Sequence, residues 1–352
     1  MRMRGWIPFL LAAALLSGAC QSRPGAGEPG VTNRYARWFE ILDSAVVTIS
    51  PYDGTRDTVS TAVPLTKLVC FSTSYSACLS ALSCPEAAVG VSGLRFVRDS
   101  VVRSRAIEVG YEGNPDYEAL LGLRPDLVLT YYVSSSVPAY VTKLSTLGTR
   151  VFVLYEHLEE HPLARAEYLR LFGALTHRRA EADSLFAAIE ARYLSLASAV
   201  EEARRDRPEG FARSVLLNIP YEDLWYVPGA DSYLSRLIRD AGGEVAGARA
   251  GTSFSRPMGM EEAFALSQEA DCWLHPGWCR TRADLLSVHP LFADFPVIRR
   301  AVYNNTLRME PEGGNDFWES GAVYADRVLS DLVTILHPEV AAEPLYYYLP
   351  LE

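Results

Sequence analysis

The sequence predicts an α/β protein of two Rossmann-like lobes, each built on a central parallel sheet, joined by one long α-helix with a ligand cleft between them. Three observations predict it. Short, solidly apolar runs alternate with amphipathic helical segments, the pattern of parallel strands covered on both faces. That rhythm breaks once, for a continuous helical stretch from near Thr176 to about Arg205 with Leu185, Ile189, Tyr193 and Leu196 on its apolar face. It then resumes and echoes itself. Glu118 precedes a helix and Asp126-Leu127-Val128-Leu129, and Glu261 precedes a helix and Asp271-Cys272-Trp273-Leu274.

The N-terminus comes first. Arg2 and Arg4 lead an apolar run, Ile7 to Leu16, followed by Ser17-Gly18-Ala19-Cys20. This is a secretory signal over 1–19, and at about ten residues the run is too short to span a bilayer. A cysteine directly after Gly-Ala resembles a bacterial lipobox, which implies lipidation of Cys20; Ser17 stands where that box prefers Leu. Residues 20–34 are Gly/Pro-rich and form a lipidated tether. The expected location is the periplasm, with the chain anchored to a membrane by its N-terminal lipid. The remainder divides into an N-terminal lobe with a β lead-in (35–175), a connecting helix (176–207), a C-terminal lobe (208–340) and a tail (341–352).

The composition, 49% hydrophobic and 22% charged, is that of a globular protein. Net charge is −10, and arginine supplies nearly all the positive charge, with lysine only at 67 and 143. No basic stripe interleaves with aromatics, which excludes nucleic acid as a partner.

The lead-in reads as a hairpin, Val46-Val47-Thr48-Ile49 and Thr58-Val59-Ser60 flanking the turn Asp53-Gly54. From Lys67, strands are expected at 68–71, 89–91, 127–129 and 151–154, with helices between them. Pro125 stops the helix that carries Glu118. In the second lobe, strands are expected at 215–217, 272–274 and 301–303, and a last helix runs from Ser320 to Leu336. Besides Cys20, the cysteines are Cys70, Cys78, Cys84, Cys272 and Cys279. Export permits disulfides, and Cys78–Cys84 and Cys272–Cys279 are the locally plausible pairs, leaving Cys70 buried at a strand end.

Ligands of parallel α/β lobes sit at the carboxyl ends of strands. Those loops contain Ser74 and Tyr75, Arg95 and Phe96, Tyr111 and Glu112, and Tyr131 and Tyr132 in the first lobe. In the second they contain Tyr221, Trp225 and Tyr226, then Trp278, then Arg308, Phe317 and Trp318. Flat side chains with a few arginines suit a bulky, partly anionic or conjugated ligand. Each also has a plainer reading: Trp225 as a hairpin residue, one of Tyr131 and Tyr132 as core, Arg308 as a surface charge. A bare metal ion would need His and carboxylate ligands from both lobes, and of the six histidines only His157 and His275, which end strands, are credible cleft candidates, a poor fit. No metal and no cofactor is expected. No G-x-S-x-G, H-E-x-x-H or P-loop is present, so an exported hydrolase has no motif behind it.

The carriers of a family resemblance are Val89-Gly90-Val91-Ser92-Gly93, then Gly110 with Asn114 and Tyr117-Glu118, and Arg124-Pro125-Asp126-Leu127-Val128-Leu129. Leu147-Gly148 and Leu171-Phe172-Gly173-Ala174-Leu175-Thr176 follow in the same order. Over about residues 67–338 the chain resembles a substrate-binding protein of the iron-siderophore and cobalamin class of ABC importers. Tyr303-Asn304-Asn305 and Gly313 to Gly321 resemble a branch found in Bacteroidetes-like bacteria. The resemblance implies two lobes that close modestly on a ferric siderophore, a corrinoid or, alternatively, haem held through a tyrosine. It also implies one exposed glutamate per lobe that docks with the membrane permease. Glu118 matches the first, and Glu261 the second, with Glu262 as the alternative.

Overall fold

The structure, a computed structural model, describes residues 33–222 and 224–352. The signal segment, Cys20 and most of the tether lie outside the described residues. The lead-in forms an antiparallel sheet, β1 (Phe39–Ile41), β2 (Ala45–Ile49) and β3 (Arg56–Ser60). Asp53 accepts from the Thr55 amide at 3.0 Å, and Gly54 takes φ 74° to close the β2–β3 turn. β1 was not visible in the sequence pattern, because three residues are too few for a period to show.

The first lobe contains β4 (Leu68–Cys70), β5 (Ala88–Val91), β6 (Ile107–Glu108), the hairpin β7 (Gly110–Tyr111) and β8 (Asn114–Pro115), β9 (Leu127–Thr130) and β10 (Val151–Val153). Its helices are α1 (Thr73–Ala81), α2 (Ser100–Arg105), α3 (Tyr117–Leu123), α4 (Ala139–Thr146) and α5 (Pro162–Leu175). The sheet order is β10-β9-β4-β5-β6, all parallel. Strand alternation divides the core in two. Leu68, Cys70, Leu127 and Leu129 face α1 and α5, while Val69 and Val128 face Leu120 of α3 and Leu144 of α4.

One helix, α6 (Arg179–Asp206), then leads to the second lobe. That lobe contains β11 (Arg213–Leu217), β12 (Trp225–Val227), β13 (Gly243–Val245), β14 (Arg256–Met258), β15 (Cys272–Leu274), β16 (Ala301–Asn304) and β17 (Leu349–Pro350). Its helices are α7 (Tyr233–Asp240), α8 (Met260–Glu269), α9 (Arg282–Val288), α10 (Asp316–Glu319) and α11 (Ala325–Leu336). The sheet order is β13-β11-β15-β16-β17, parallel except for β17. The last residues are therefore not a detached tail. Tyr347 and Tyr348 are fully buried, and the Asp331 carboxylate accepts from the amides of Tyr346, Tyr347 and Tyr348.

The cysteine pairs expected from spacing do not form: Cys70, Cys78, Cys84, Cys272 and Cys279 are free and buried. Cys78 lies within α1 and Cys84 beyond its end, while β15 and a loop separate Cys272 from Cys279. Burial pushes the Cys70 thiol up to about 12 and Cys279 to about 11, so these are inert, protonated thiols.

The lead-in is fastened by two buried carboxylates. Glu167, fully buried on α5, accepts from the amides of Arg34, Tyr35 and Ala36, each at 2.9 Å. Arg170 donates to the same carboxylate at 3.0 Å. Glu159 accepts from the Arg37 and Trp38 amides. Glu167→Ala should lower unfolding free energy by about 3 kcal/mol, measured by chemical denaturation, because it removes the acceptor of three part-buried amides and of Arg170.

Candidate functional site

Both sheets reverse strand order beside their first strand, between β4 and β9 and between β11 and β15. Such switch points open a crevice at the carboxyl ends of the strands. In the first lobe the crevice is bounded by Ser72–Ser74, the loop after β9 and the turn after β10. Ser72 caps α1 and meets the Ser74 hydroxyl at 2.7 Å. Tyr131 and Tyr132, adjacent in sequence, depart in opposite directions. The Tyr131 hydroxyl donates to Glu112 at 3.3 Å, and its ring lies 5.5 Å from that of His157. Burial, with the Glu112 charge adding to it, pushes Tyr131 up to about 12. Tyr132 instead meets Tyr155 and Tyr52.

His157 is half-buried, and its two ring nitrogens are shielded from solvent. Neither of its ring nitrogens has a hydrogen-bond partner among the described residues. Burial, assisted by the Arg165 charge, holds it down at about 4, so the ring is neutral. Beside it, the Glu156 carboxylate is pushed up by burial and accepts from the Tyr75 hydroxyl at 3.1 Å.

The second lobe presents Tyr221, Tyr226, Trp278 and Trp318, all exposed. Alternation along β12 explains one of them: Trp225 and Val227 point inward and Tyr226 outward. Trp318 lies edge-on to Phe317 at 4.8 Å, and Phe317 packs on His275. His275 is buried, bonded to the Tyr348 hydroxyl at 2.6 Å, and held down at about 3 by burial. Tyr111 is 61% exposed on the β7–β8 hairpin, with Glu112 beside it.

Three expected ligand residues are corrected by their surroundings. Trp225 is 1% exposed; its indole donates to the Leu217 carbonyl at 2.7 Å and stacks on Phe295, so it is core. Tyr75 is 1% exposed, its ring turned onto Phe172 of α5. Arg308 is no open anion clamp: it donates to Asp316 at 2.6 Å and lies over the Tyr346 ring. A local sequence pattern does not reveal these partners, since each is supplied by another element.

Arg95 and Phe96 sit where the lobes meet, not in an open cleft. The Arg95 guanidinium covers the Phe96 ring, and Gly314 approaches so closely that a Cβ there would stand 2.4 Å from the Phe96 carbonyl oxygen. The neighbouring Arg98 was not expected at all. Its amide donates to Glu319, and its guanidinium donates to the Arg308 carbonyl and pairs with Glu310 at 2.6 Å. A separation of 221 residues between Arg98 and Glu319 hides this tie from any local pattern.

Glu118 and Glu261 occupy equivalent places, exposed on the first turns of α3 and α8. Glu262 is held by Arg256, whereas Glu261 makes no ion pair among the described residues. No three His, Cys, Asp or Glu side chains gather as a metal site among the described residues.

Two α/β lobes, each on a mainly parallel sheet and joined by one long helix, form the architecture of a bilobal solute-binding protein. The chain belongs to the periplasmic binding protein family, whose model matches residues 68–303. Its fold is similar to that of a periplasmic heme-binding protein of Pseudomonas aeruginosa (TM-score 0.61, 20% identity, covering 82% of this chain and 98% of that one). It is also similar to a siderophore-binding protein of Vibrio cholerae solved with Fe3+-Desferal (TM-score 0.54, 14% identity, covering 77% and 98%). In sequence it is 24% identical over 296 residues to a lipoprotein of Methanocaldococcus jannaschii, spanning 79% of this chain and 66% of that relative.

The lobe junction carries a pH signature. Burial, reinforced by the Asp316 charge, pushes Glu319 up to about 7, against the lowering effect of the Arg98 amide. The folded state therefore keeps a proton there that the unfolded chain has lost. Stability from this group is full below 4.5 and declines as pH rises through about 7. Glu319→Gln should remove that share of the decline, so the difference in melting temperature between wild type and variant should change across this window and be flat above it.

Proposed function

We propose that this chain is the substrate-binding lipoprotein of an ABC importer, exported to the periplasm and held at a membrane through lipidated Cys20. It captures an iron-siderophore or cobalamin-like chelate and hands it, chemically unchanged, to the permease. The observation that carries this reading is the set of exposed aromatics on both lobes: Tyr111 on the first, and Tyr221, Tyr226, Trp278 and Trp318 on the second. Large rings with few free charges bind a bulky conjugated surface by area and stacking, and few sugars or amino acids offer such a surface. The fold neighbour that holds Fe3+-Desferal supports the same class.

A haem cargo is the second reading, favoured by Tyr131 standing against the neutral, unpartnered His157. The two readings separate by absorption spectroscopy. Titration with ferric siderophores, cobalamin and haem should give one saturable complex, and haem should show a Tyr131→Phe-sensitive Soret band only if haem is the cargo. Failure of all three ligands would refute the cargo class.

Docking is assigned to Glu118 and Glu261. Two carboxylates, one per lobe on a rigid body, set orientation on a two-fold permease more than they add affinity. The Arg256 pair on Glu262 supports Glu261 as the displayed acid. Reversing both charges (Glu118→Lys with Glu261→Lys) should abolish uptake in cells while leaving the cargo Kd within about twofold. Trp318→Ala should do the opposite, weakening cargo binding about tenfold, roughly 1.4 kcal/mol. Normal uptake by the double reversal would exclude these two acids.

A further inference from the structure

Between the β1–β2–β3 sheet and the first lobe lies a cavity of about 400 Å³. That volume is within the roughly 300–1,000 Å³ typical of small-molecule sites. One wall belongs to residues before 68, outside the segment shared with the family: Thr48, Ser50 and Asp53. The other wall is apolar, made by Val141, Val151 and Val153, and Tyr132 and Tyr155 stand at one end.

The cavity is distinct from the cleft between lobes. Tyr131 turns toward Glu112 and His157, whereas Tyr132 turns away from them. The Tyr132 and Tyr155 hydroxyls lie 3.3 Å apart, and their rings meet edge to face at 6.1 Å. Tyr52, on the β2–β3 turn, lies parallel to Tyr132 and donates to its carbonyl at 3.4 Å. Burial pushes Tyr52 and Tyr155 up, so both hydroxyls stay neutral.

Charge does not select an anion here. The two arginines at the cavity are already matched, Arg150 by Asp57 and Arg56 by Glu40. What remains is an apolar valine face, tyrosine ring edges and faces, and a few neutral hydroxyls, while the Asp53 carboxylate is held by the Thr55 amide and the Ser50 hydroxyl. A flat apolar ring carrying hydroxyl groups meets all three: its face lies on the valines, its edges on the tyrosines, and its hydroxyls bond to the phenols and Ser50.

We propose that this cavity is a second binding site, which takes a neutral hydroxylated aromatic ring of the phenol or catechol type. The ring is either a free small phenol or one arm of a larger ligand. The proposal does not rest on the cargo assigned to the cleft.

The test is calorimetric titration of the full chain with catechol. Wild type should show one saturable site. Ser145→Trp, on the exposed side of α4 where it lines the cavity, should weaken binding at least tenfold with an unchanged melting temperature. If that variant fails to fold, Val137→Trp, at an exposed lining position, replaces it. No saturation by about 10 mM catechol, an affinity too weak for a built site, or equal affinity in wild type and a folded variant would overturn the proposal. In that case the added sheet is a cover for β10. A metal-free ligand that carries catechol arms with their hydroxyls intact and competes with free catechol would identify the ring as an arm, and simultaneous binding would identify a separate small molecule. Both outcomes support the site.

Discussion

Everything in the cleft depends on the packing of α6 against both lobes at once. Twenty-eight helical residues span about 42 Å, and the helix lies on α5 of one lobe and α11 of the other. Arg192 donates to Asp326 and the Tyr193 hydroxyl to Asp240, each at 2.6 Å, so the second lobe is held by specific polar ties as well as apolar area. Glu190 on the same helix takes Arg34 and Tyr35 of the lead-in. A 28-residue helix packed on both lobes joins them more stiffly than a loop would. The Arg98–Glu319 contact adds a second tie at the junction.

The α/β class, the long helix and most strands were legible because their signals are local. An apolar run such as Leu127-Val128-Leu129 announces a buried strand without knowledge of its neighbours. The side-chain fates were legible only in part. Tyr221, Trp278 and Trp318 are exposed at strand ends, as their loop positions suggest, whereas Trp225 and Tyr75 fill the core. Nothing within a few residues separates these groups, since the deciding partners, Phe295 and Phe172, come from other elements. The disulfide expectation failed for the same reason: spacing along the chain says little about which way two thiols face.

The lobe junction shows a different kind of illegibility. Asp316 and Glu319 read as ordinary acids near a helix start, and Arg98 as an ordinary loop cation. Folding brings them together with Arg308 and Glu310 at a place where water is partly excluded, and burial then governs their titration. The same geometry that positions Phe96 against Gly314 creates this cluster, so substitutions at the junction act on lobe placement and on acid–base behaviour together.

Among the described residues guanidinium groups hold every ion pair except His337–Glu339, since 31 of the 33 Lys and Arg side chains are arginine and lysine occurs only at 67 and 143. Arginine does not release its proton in any aqueous milieu that leaves a protein folded. In strongly alkaline surroundings, at about pH 10 and above, an ammonium-rich surface would shed cationic charge and slacken its contacts. Here the electrostatic scaffold stays constant. Amine-directed chemistry also meets just two side-chain targets, Lys67 and Lys143, both in the first lobe, so a label or surface linkage applied that way would leave the second lobe untouched.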